Sequence, residues 1–566
     1  MASNGTLPSS DSLPYTAQLD ASASAAVIMG RLDALEAALN IFYILDTTVI
    51  IFFMQAGFAL VEVGSVRTVS ARDIMMKNLL DASVCLLMWW LIGFGLADAG
   101  GNPFFGCSFW ELDVGASNGV DEAYDGTRGL LTARWLLGYM YAAASCTIVS
   151  GAIAERTHHI GYIVSTAMMS SVIYPAVSHS LWASNGWLSQ RNPHSIFGGA
   201  HDFAGSGVVH ITGGVVALCA CLTVGPRAGR FDEATGTPLP VRGQSSSFIM
   251  LGTFFLWVGW LAFNMGSTLS ISTPGAAFTA ARVATRTMLS ASTGCVAVTA
   301  LNYHRSKVWS LPTTCYGIVA GLVAITASCN SISAWAACLV GGVGALLYYA
   351  ASYTVLHVLR IDDAVDAFAV HAVPGAWGLI AASLFSGGSG GAASTGSPGL
   401  AYGGSGQLFG AAALAVISIS IWAAGLGSAV MWATKKSGWL LIPHGLQRFG
   451  SDVIAERRAF ARRAGASGTT AGSIRIATVG MSSTTNNLSF TPDAHPGPPS
   501  TLGVQLEDEA IVDVSVHNSS EGRVRGGCTA WDALGGCGGH ASMTTATPAT
   551  HHTADRPTPS PSADSV

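Results

Sequence analysis

The chain has 566 residues, half of them hydrophobic and only 10% charged, with a mean hydropathy of +0.45. That is the composition of a polytopic membrane protein and excludes a soluble domain built around one core. The net charge of −5 says little, since placement matters more than the sum, and no nucleic-acid partner is expected. Of eleven cysteines, most lie inside apolar runs (Cys85, Cys146, Cys219, Cys221, Cys295, Cys315, Cys338), where they act as small hydrophobes. With no C-x-x-C pair and no Cys/His cluster, neither a zinc site nor a disulfide scaffold is expected.

Residues 1–38 are rich in Ser, Ala and Asp and lack a basic start followed by an apolar run, so the first spanning helix is expected to do the targeting. A spanning helix needs about 20 mostly apolar residues. Eleven such runs occur, near 41–64, 78–97, 132–153, 160–182, 204–224, 247–267, 281–301, 312–328, 334–357, 366–385 and 408–433. Pro312 opens the eighth, and polar Ser328 and Asn330 close it. Cytoplasmic loops carry an excess of Lys and Arg. With the N-terminus outside, the inner loops hold Arg67, Arg72, Lys77, Arg156, Arg227, Arg230, Arg242, Arg305, Lys307, Arg360, Lys435 and Lys436. The outer side holds only Arg31, Arg128, Arg134, Arg191, Arg282 and Arg286, together with the acidic run from Asp98 to Asp125. The expected fold is therefore all-α and polytopic, with eleven transmembrane helices, N-out and C-in.

Gly57-FALVEV-Gly64-Ser65 in the first helix echoes Gly259-WLAFNM-Gly266-Ser267 in the sixth. The echo suggests an inverted repeat of five plus five helices, with one helix added. Glycines at such spacing mostly mark close helix packing. Residues 386–406 read as a flexible outer loop, and 445–465 as a short basic amphipathic stretch. Beyond it the chain is Ser-, Thr-, Gly- and Pro-rich, the composition of disorder. The expected organisation is thus an extracellular segment 1–38, a helical domain 39–436 and a cytoplasmic tail 437–566.

A second echo carries the chemistry: Asp202-FAGSGVV-His210 in helix five and Asp363-AVDAFAV-His371 in helix ten. Ionisable groups inside membrane helices are costly, and they mark a transport path, a relay or a bound ligand. Matching positions in two repeats point to a site near the midplane. Pseudo-symmetry would bring His210 and His371 face to face. A neutral imidazole offers one donor and one acceptor, so the pair can share one bond and keep edges for a small polar solute. The plainer alternative for each is a packing histidine bonded to Ser or a carbonyl. Asp202 and Asp363 precede their helices as N-caps would. Asp202, on the outer side, is the stronger candidate for meeting a cation, and Asp366, one turn from His371, could equally orient helix ten. Tyr141, Trp182 and Phe263 cluster at outer helix ends, as interfacial anchors or as a cation–π cage; periodicity alone does not choose.

The runs GAIAERT (151–157), YPAVSH-x-x-W (174–182), DFAGSGVVH (202–210), GPRAGRFD (225–232), LGTFFLWVGWLAFNMGS (251–267) and VHAVPGAWGLI (370–380) resemble the ammonium transporter (Amt/Mep/Rh) family, nearest its eukaryotic, plant-type Amt branch. The likeness covers roughly residues 40–436. It implies a plasma-membrane homotrimer with one pore per subunit, carrying ammonium or ammonia and needing no cofactor or metal. It also places an outer recruitment site on Trp182 and Ser267, a two-ring gate on Tyr141 and Phe263, twin pore histidines on His210 and His371, and a structural aspartate on Asp202. Tyr141 departs from the family's phenylalanine, and Ala372 and Pro374 from its usual Gly and Cys. The family's acidic tail segment ending in Asp-x-x-x-His-Gly is reduced to His444-Gly445, which puts cross-subunit regulation in doubt. The functions in view are an ammonium transporter, an ammonium sensor signalling through its tail to a cytoplasmic regulator, a Rh-like gas channel, and a redox enzyme with haem on the two histidines. Transport leads, and no enzymatic activity is expected. Glu62 and the Ala154-Glu-Arg motif read as structural or vestibule residues.

Overall fold

The computed structural model describes residues 15–98, 100–107, 126–387, 398–443 and 447, and in the tail residues 502–504 and 512–514. Each of the eleven apolar runs falls on a helical rod. These are α1 (Tyr15–Ser65), α2 (Thr68–Ala97), α3 (Gly126–Ala152), α4 (His159–Trp182), α5 (Ser206–Val224) and α6 (Ser246–Gly266). They continue with α7 (Pro274–Ser306), α8 (Leu311–Ile325), α9 (Ala334–Val358), α10 (Phe368–Phe385) and α11 (Gln407–Lys436). Among the described residues, eight of them are long and apolar enough to cross a membrane. α8 has only 15 residues and falls short, ending before the polar turn that contains Ser328 and Asn330.

Several helices outrun their apolar stretches, α1 and α7 the most. α1 has 51 residues and begins at Tyr15, so much of the expected N-terminal segment is helix. Its Ala-rich start is helix-forming without being strongly hydrophobic. α7 has 33 residues and takes up Arg282 and Arg286, whose guanidinium groups donate to the carbonyls of Asn330 and Cys329 at 2.9 and 3.1 Å. Thr273 caps α7 by accepting from Ala276 N, and Pro274 follows in the first turn, where a missing N–H costs nothing.

The two glycine echoes lie where α1 packs along α6. A Cβ added at Gly64 would sit 2.6 Å from the Ser245 carbonyl oxygen, and one at Gly266 would sit 2.8 Å from Thr47 Oγ1, so these backbones approach closely. α5 packs against α3 and α11, and α10 against α5, α8 and α9, which sets the two histidine helices side by side within the domain.

The Arg-rich end of the bundle, its lower end, is locked by ions. Arg227 donates from Nε and Nη2 to the two carboxylate oxygens of Asp362, at 2.9 and 2.8 Å. Arg227 Nη1 also reaches Glu155 Oε2 at 3.4 Å, and Arg67 Nε reaches Glu155 Oε1 at 3.1 Å. Arg156 donates to the carbonyls of Gly225, Asp362 and Ala152. Burial raises the Asp362 carboxyl, but the bonds and charges of Arg227 and Arg156 hold it well below the usual carboxylate range. The segment after α11 joins this hub: Ile442 N donates to Arg156 O, His158 N to Leu440 O, and Ala228 N to Gln447 Oε1.

The chain divides at Ser467/Gly468. In the second unit, β1 (Leu502–Val504) pairs antiparallel with β2 (Val512–Val514), Leu502 opposite Val514. The rest of the second unit lies outside the described residues, as do 444–446 with His444-Gly445, 448–467, 108–125 of the acidic run and 388–397 of the Gly/Ser loop.

Candidate functional site

His210 and His371 each sit in a π-helical turn, Ser206–Ile211 and Phe368–Ala372, at the start of α5 and α10. Wide turns of this kind are common at functional sites. The helices cross at small residues: a Cβ at Gly214 would meet Ala372 N at 2.6 Å, and one at Gly375 would meet Ser206 O at 2.5 Å. The crossing brings the imidazoles together, with Nδ1 to Nδ1 at 3.3 Å, ring centres 5.3 Å apart and planes 20° from parallel. One Nδ1 donates and the other accepts, which leaves one Nε2 on each ring. His210 is fully buried, and its Nε2 has no hydrogen-bond partner among the described residues, an open polar edge in apolar surroundings.

Trp260 stacks on His210 with centres 5.0 Å apart and planes 18° from parallel. Its Nε1 donates to Thr326 Oγ1 at 2.9 Å, which fixes the indole and thereby the imidazole. The sequence reading gives Trp260 no role. The available signal is its spacing from Phe263 and Ser267 on α6, three and seven residues on, which places all three on one helical face.

On the upper side of His210 lies the ring cluster. Tyr141 and Phe263 meet edge to face at 4.5 Å, and Trp182 stands 5.7 Å from Tyr141. The Tyr141 hydroxyl is 2.7 Å from Ser267 Oγ, which also donates to Phe263 O at 2.9 Å. Trp182 Nε1 donates to Asp202 O at 2.6 Å. Tyr141, Trp182, Phe263 and Ser267 thus come together from α3, α4 and α6.

Asp202 is buried. Its carboxylate accepts from Gly205 N at 3.1 Å and from Gly207 N and Val208 N at 2.9 Å, an N-terminal cap on α5. Burial pushes its carboxyl up to about 6, against the lowering effect of those amides. Asp363 caps α10 in the same way, accepting from Phe368 N at 2.9 Å, and Asp366 accepts from Ser352 Oγ at 2.9 Å. All three carboxylates are therefore engaged with protein donors.

On the lower side of His371 is a cavity lined by Phe58, Val61, Glu62, Tyr316 and Val370, among others. Glu62 reaches it from α1, held by Asn78 Nδ2 and Ser150 Oγ, each at 2.8 Å. From top to bottom the order is uncharged rings, a histidine pair, and an apolar cavity with one carboxyl at its wall.

The model of the Ammonium Transporter Family matches residues 41–459. The chain is 39% identical over 420 residues to "Ammonium transporter Amt2" of Archaeoglobus fulgidus, spanning 73% of this chain and 86% of that one. It is 36% identical over 434 residues to "Ammonium transporter 1 member 3" of Solanum lycopersicum, spanning 74% and 91%. The solved "Sensor Amt Protein" superposes with a TM-score of 0.66 at 29% identity, over 75% of this chain and 99% of that one. On these grounds the chain belongs to the ammonium transporter family.

Proposed function

We propose that the chain crosses the membrane eleven times, N-out and C-in, and moves ammonium inward through the lumen between α5 and α10. Ammonium is recruited among the faces of Trp182 and Tyr141 and at Ser267, and it passes the Tyr141–Phe263 gate. It then gives up a proton at the histidine pair and travels on as ammonia. The open Nε2 of His210, on a ring 6.2 Å from that of Phe263 in the gate, carries this reading. A charge at the bilayer centre costs about 2.5–3.5 kcal/mol even on the lenient insertion scale, and uncharged ammonia avoids that cost. Potassium has no proton to give up, so the same barrier rejects it.

The basic loops of the lower end support its assignment as the inner end. Asp202 acts as the cap of α5 rather than as a direct ligand, and Asp363 and Asp366 support α10. A homotrimer in the plasma membrane is the assembly the family likeness suggests. The test is current and labelled-ammonium uptake in liposomes after an ammonium step, with potassium as control. Saturable uptake absent in His210→Ala supports the reading, and unchanged selective uptake in that variant refutes it. A sensing role, favoured by the likeness to the Sensor Amt Protein, would instead leave binding without uptake.

A further inference from the structure

α1 starts well before its apolar stretch, and this early part carries an apolar seam of its own. Residues Ala25 to Asp33 are all exposed. Lower down, the Asn40 side chain pins the helix to the loop after α6, donating to Ser272 Oγ at 3.1 Å and accepting from Ile271 N at 2.9 Å. Ile28, Leu32, Leu35, Leu39 and Phe42 are between 42 and 66% exposed. Their spacing of four, three, four and three residues is that of a heptad repeat, with Leu32 and Leu39 at a and Ile28, Leu35 and Phe42 at d. Ile44, Thr48 and Ile51 are buried and tie α1 to its own domain by another face, so the seam looks outward.

The flanking charges say what covers it. A helix laid on a lipid surface has a polar face rich in Lys and Arg. Arg31 is the only Lys or Arg before Arg67, and Asp33 and Glu36 lie beside it. Arg31 stands at g and Glu36 at e of the following heptad, and neither has an ion pair among the described residues. In parallel helices those two positions face each other across the contact, and copies inserted in one membrane share an orientation. Leu at a with Ile at d favours three or four strands over two. Asp46 takes the next a position, where carboxylates gathered on one axis repel, so the seam ends at Phe42.

We propose that residues 25–42 of α1 form a parallel coiled coil with the same segment of neighbouring copies of this chain, above the outer face of the membrane; this rests on the N-out homotrimer proposed above. Arg31 of one copy pairs with Glu36 of the next. So short a helix is marginal as an isolated strand. Anchoring on assembled subunits raises the effective concentration of the strands, and the coil in turn holds the subunits together.

The experiment uses the full-length protein in liposomes with a short bismaleimide cross-linker, and native mass measured in detergent alongside. Leu35→Cys, on the seam, is expected to give covalent dimers above the background that the native cysteines set in wild type. Asp33→Cys, exposed but off the seam, is expected to stay at that background. Arg31→Glu is expected to lower the temperature at which the complex dissociates, and Arg31→Glu combined with Glu36→Arg to restore it, because the swap rebuilds the pair with its sign reversed. An oligomer that cross-links no better at residue 35 than at 33 would overturn the proposal, as would one whose dissociation ignores both charge variants; a helix lying on lipid gives both results. A wild type that is monomeric by native mass would sink the homotrimer reading itself, and the coil with it.

Discussion

In the proposed orientation, the outer and inner ends of the same helices treat charge in opposite ways. Outside, Tyr141, Trp182, Phe263 and Ser267 offer rings and hydroxyls and no formal charge. Inside, Arg67, Glu155, Arg156, Arg227 and Asp362 form an ionic hub. A ring face attracts a small cation without holding it as a full counter-charge would. The hub ties four loops and the segment after α11 into one arrangement, and its charges are spent on one another. Strong electrostatics here serve architecture, and weak electrostatics serve passage.

Arg227→Ala would disrupt the inner end most. It takes away the bidentate partner of Asp362 and leaves it to Arg156 and Arg230, at 3.5 and 3.2 Å; removing one member of a buried pair costs about 3–5 kcal/mol, an upper bound here. Thermal unfolding of the detergent-solubilised protein is expected to show a large drop in melting temperature, and an unchanged melt would remove the hub from the architecture. Next comes Trp182→Ala, which takes the cage's indole away and, with it, a cation–π contribution of about 1–2 kcal/mol. The apparent ammonium affinity is expected to weaken about tenfold with the fold intact; an unaltered affinity would mean recruitment lies elsewhere.

Tyr141→Phe probes the outer end more finely, because it keeps the ring and removes the hydroxyl, with its bond to Ser267 and its longer 3.4 Å bond to Phe263 O. A typical hydrogen bond is worth about 0.5–1.5 kcal/mol, so a change of about two- to tenfold in rate or affinity is expected. Identical kinetics would make the hydroxyl idle. The smallest effect concerns pH. Because the Asp202 carboxyl is raised to about 6, its share of stability is present below the ordinary carboxylate range and is lost as pH rises through about 6. Melting temperature against pH is expected to inflect there, and Asp202→Asn is expected to flatten that inflection.

The histidine pair was legible in the sequence because two matched Asp-to-His intervals sit in apolar runs, and ionisable residues there are rare. The helical rods were legible because a run of about 20 apolar residues has few other uses. Tyr141, Trp182 and Phe263 were ambiguous, since an aromatic at a helix end suits both an interface belt and a cage. Periodicity does not separate those readings, and the family likeness supports the cage proposed above. The hub was invisible, because Arg227 and Asp362 are 135 residues apart and each reads singly as a loop charge. The start of α1 was missed because hydropathy sees apolar runs and not the Ala-rich helix that precedes one.

The 2.7 Å contact between the Tyr141 hydroxyl and Ser267 Oγ ties the proposed gate to the proposed recruitment site. With its own proton donated to Phe263 O, Ser267 accepts from Tyr141 and keeps one lone pair, so in the proposed path an arriving ammonium shares the serine with the tyrosine and is held at the latch before it opens.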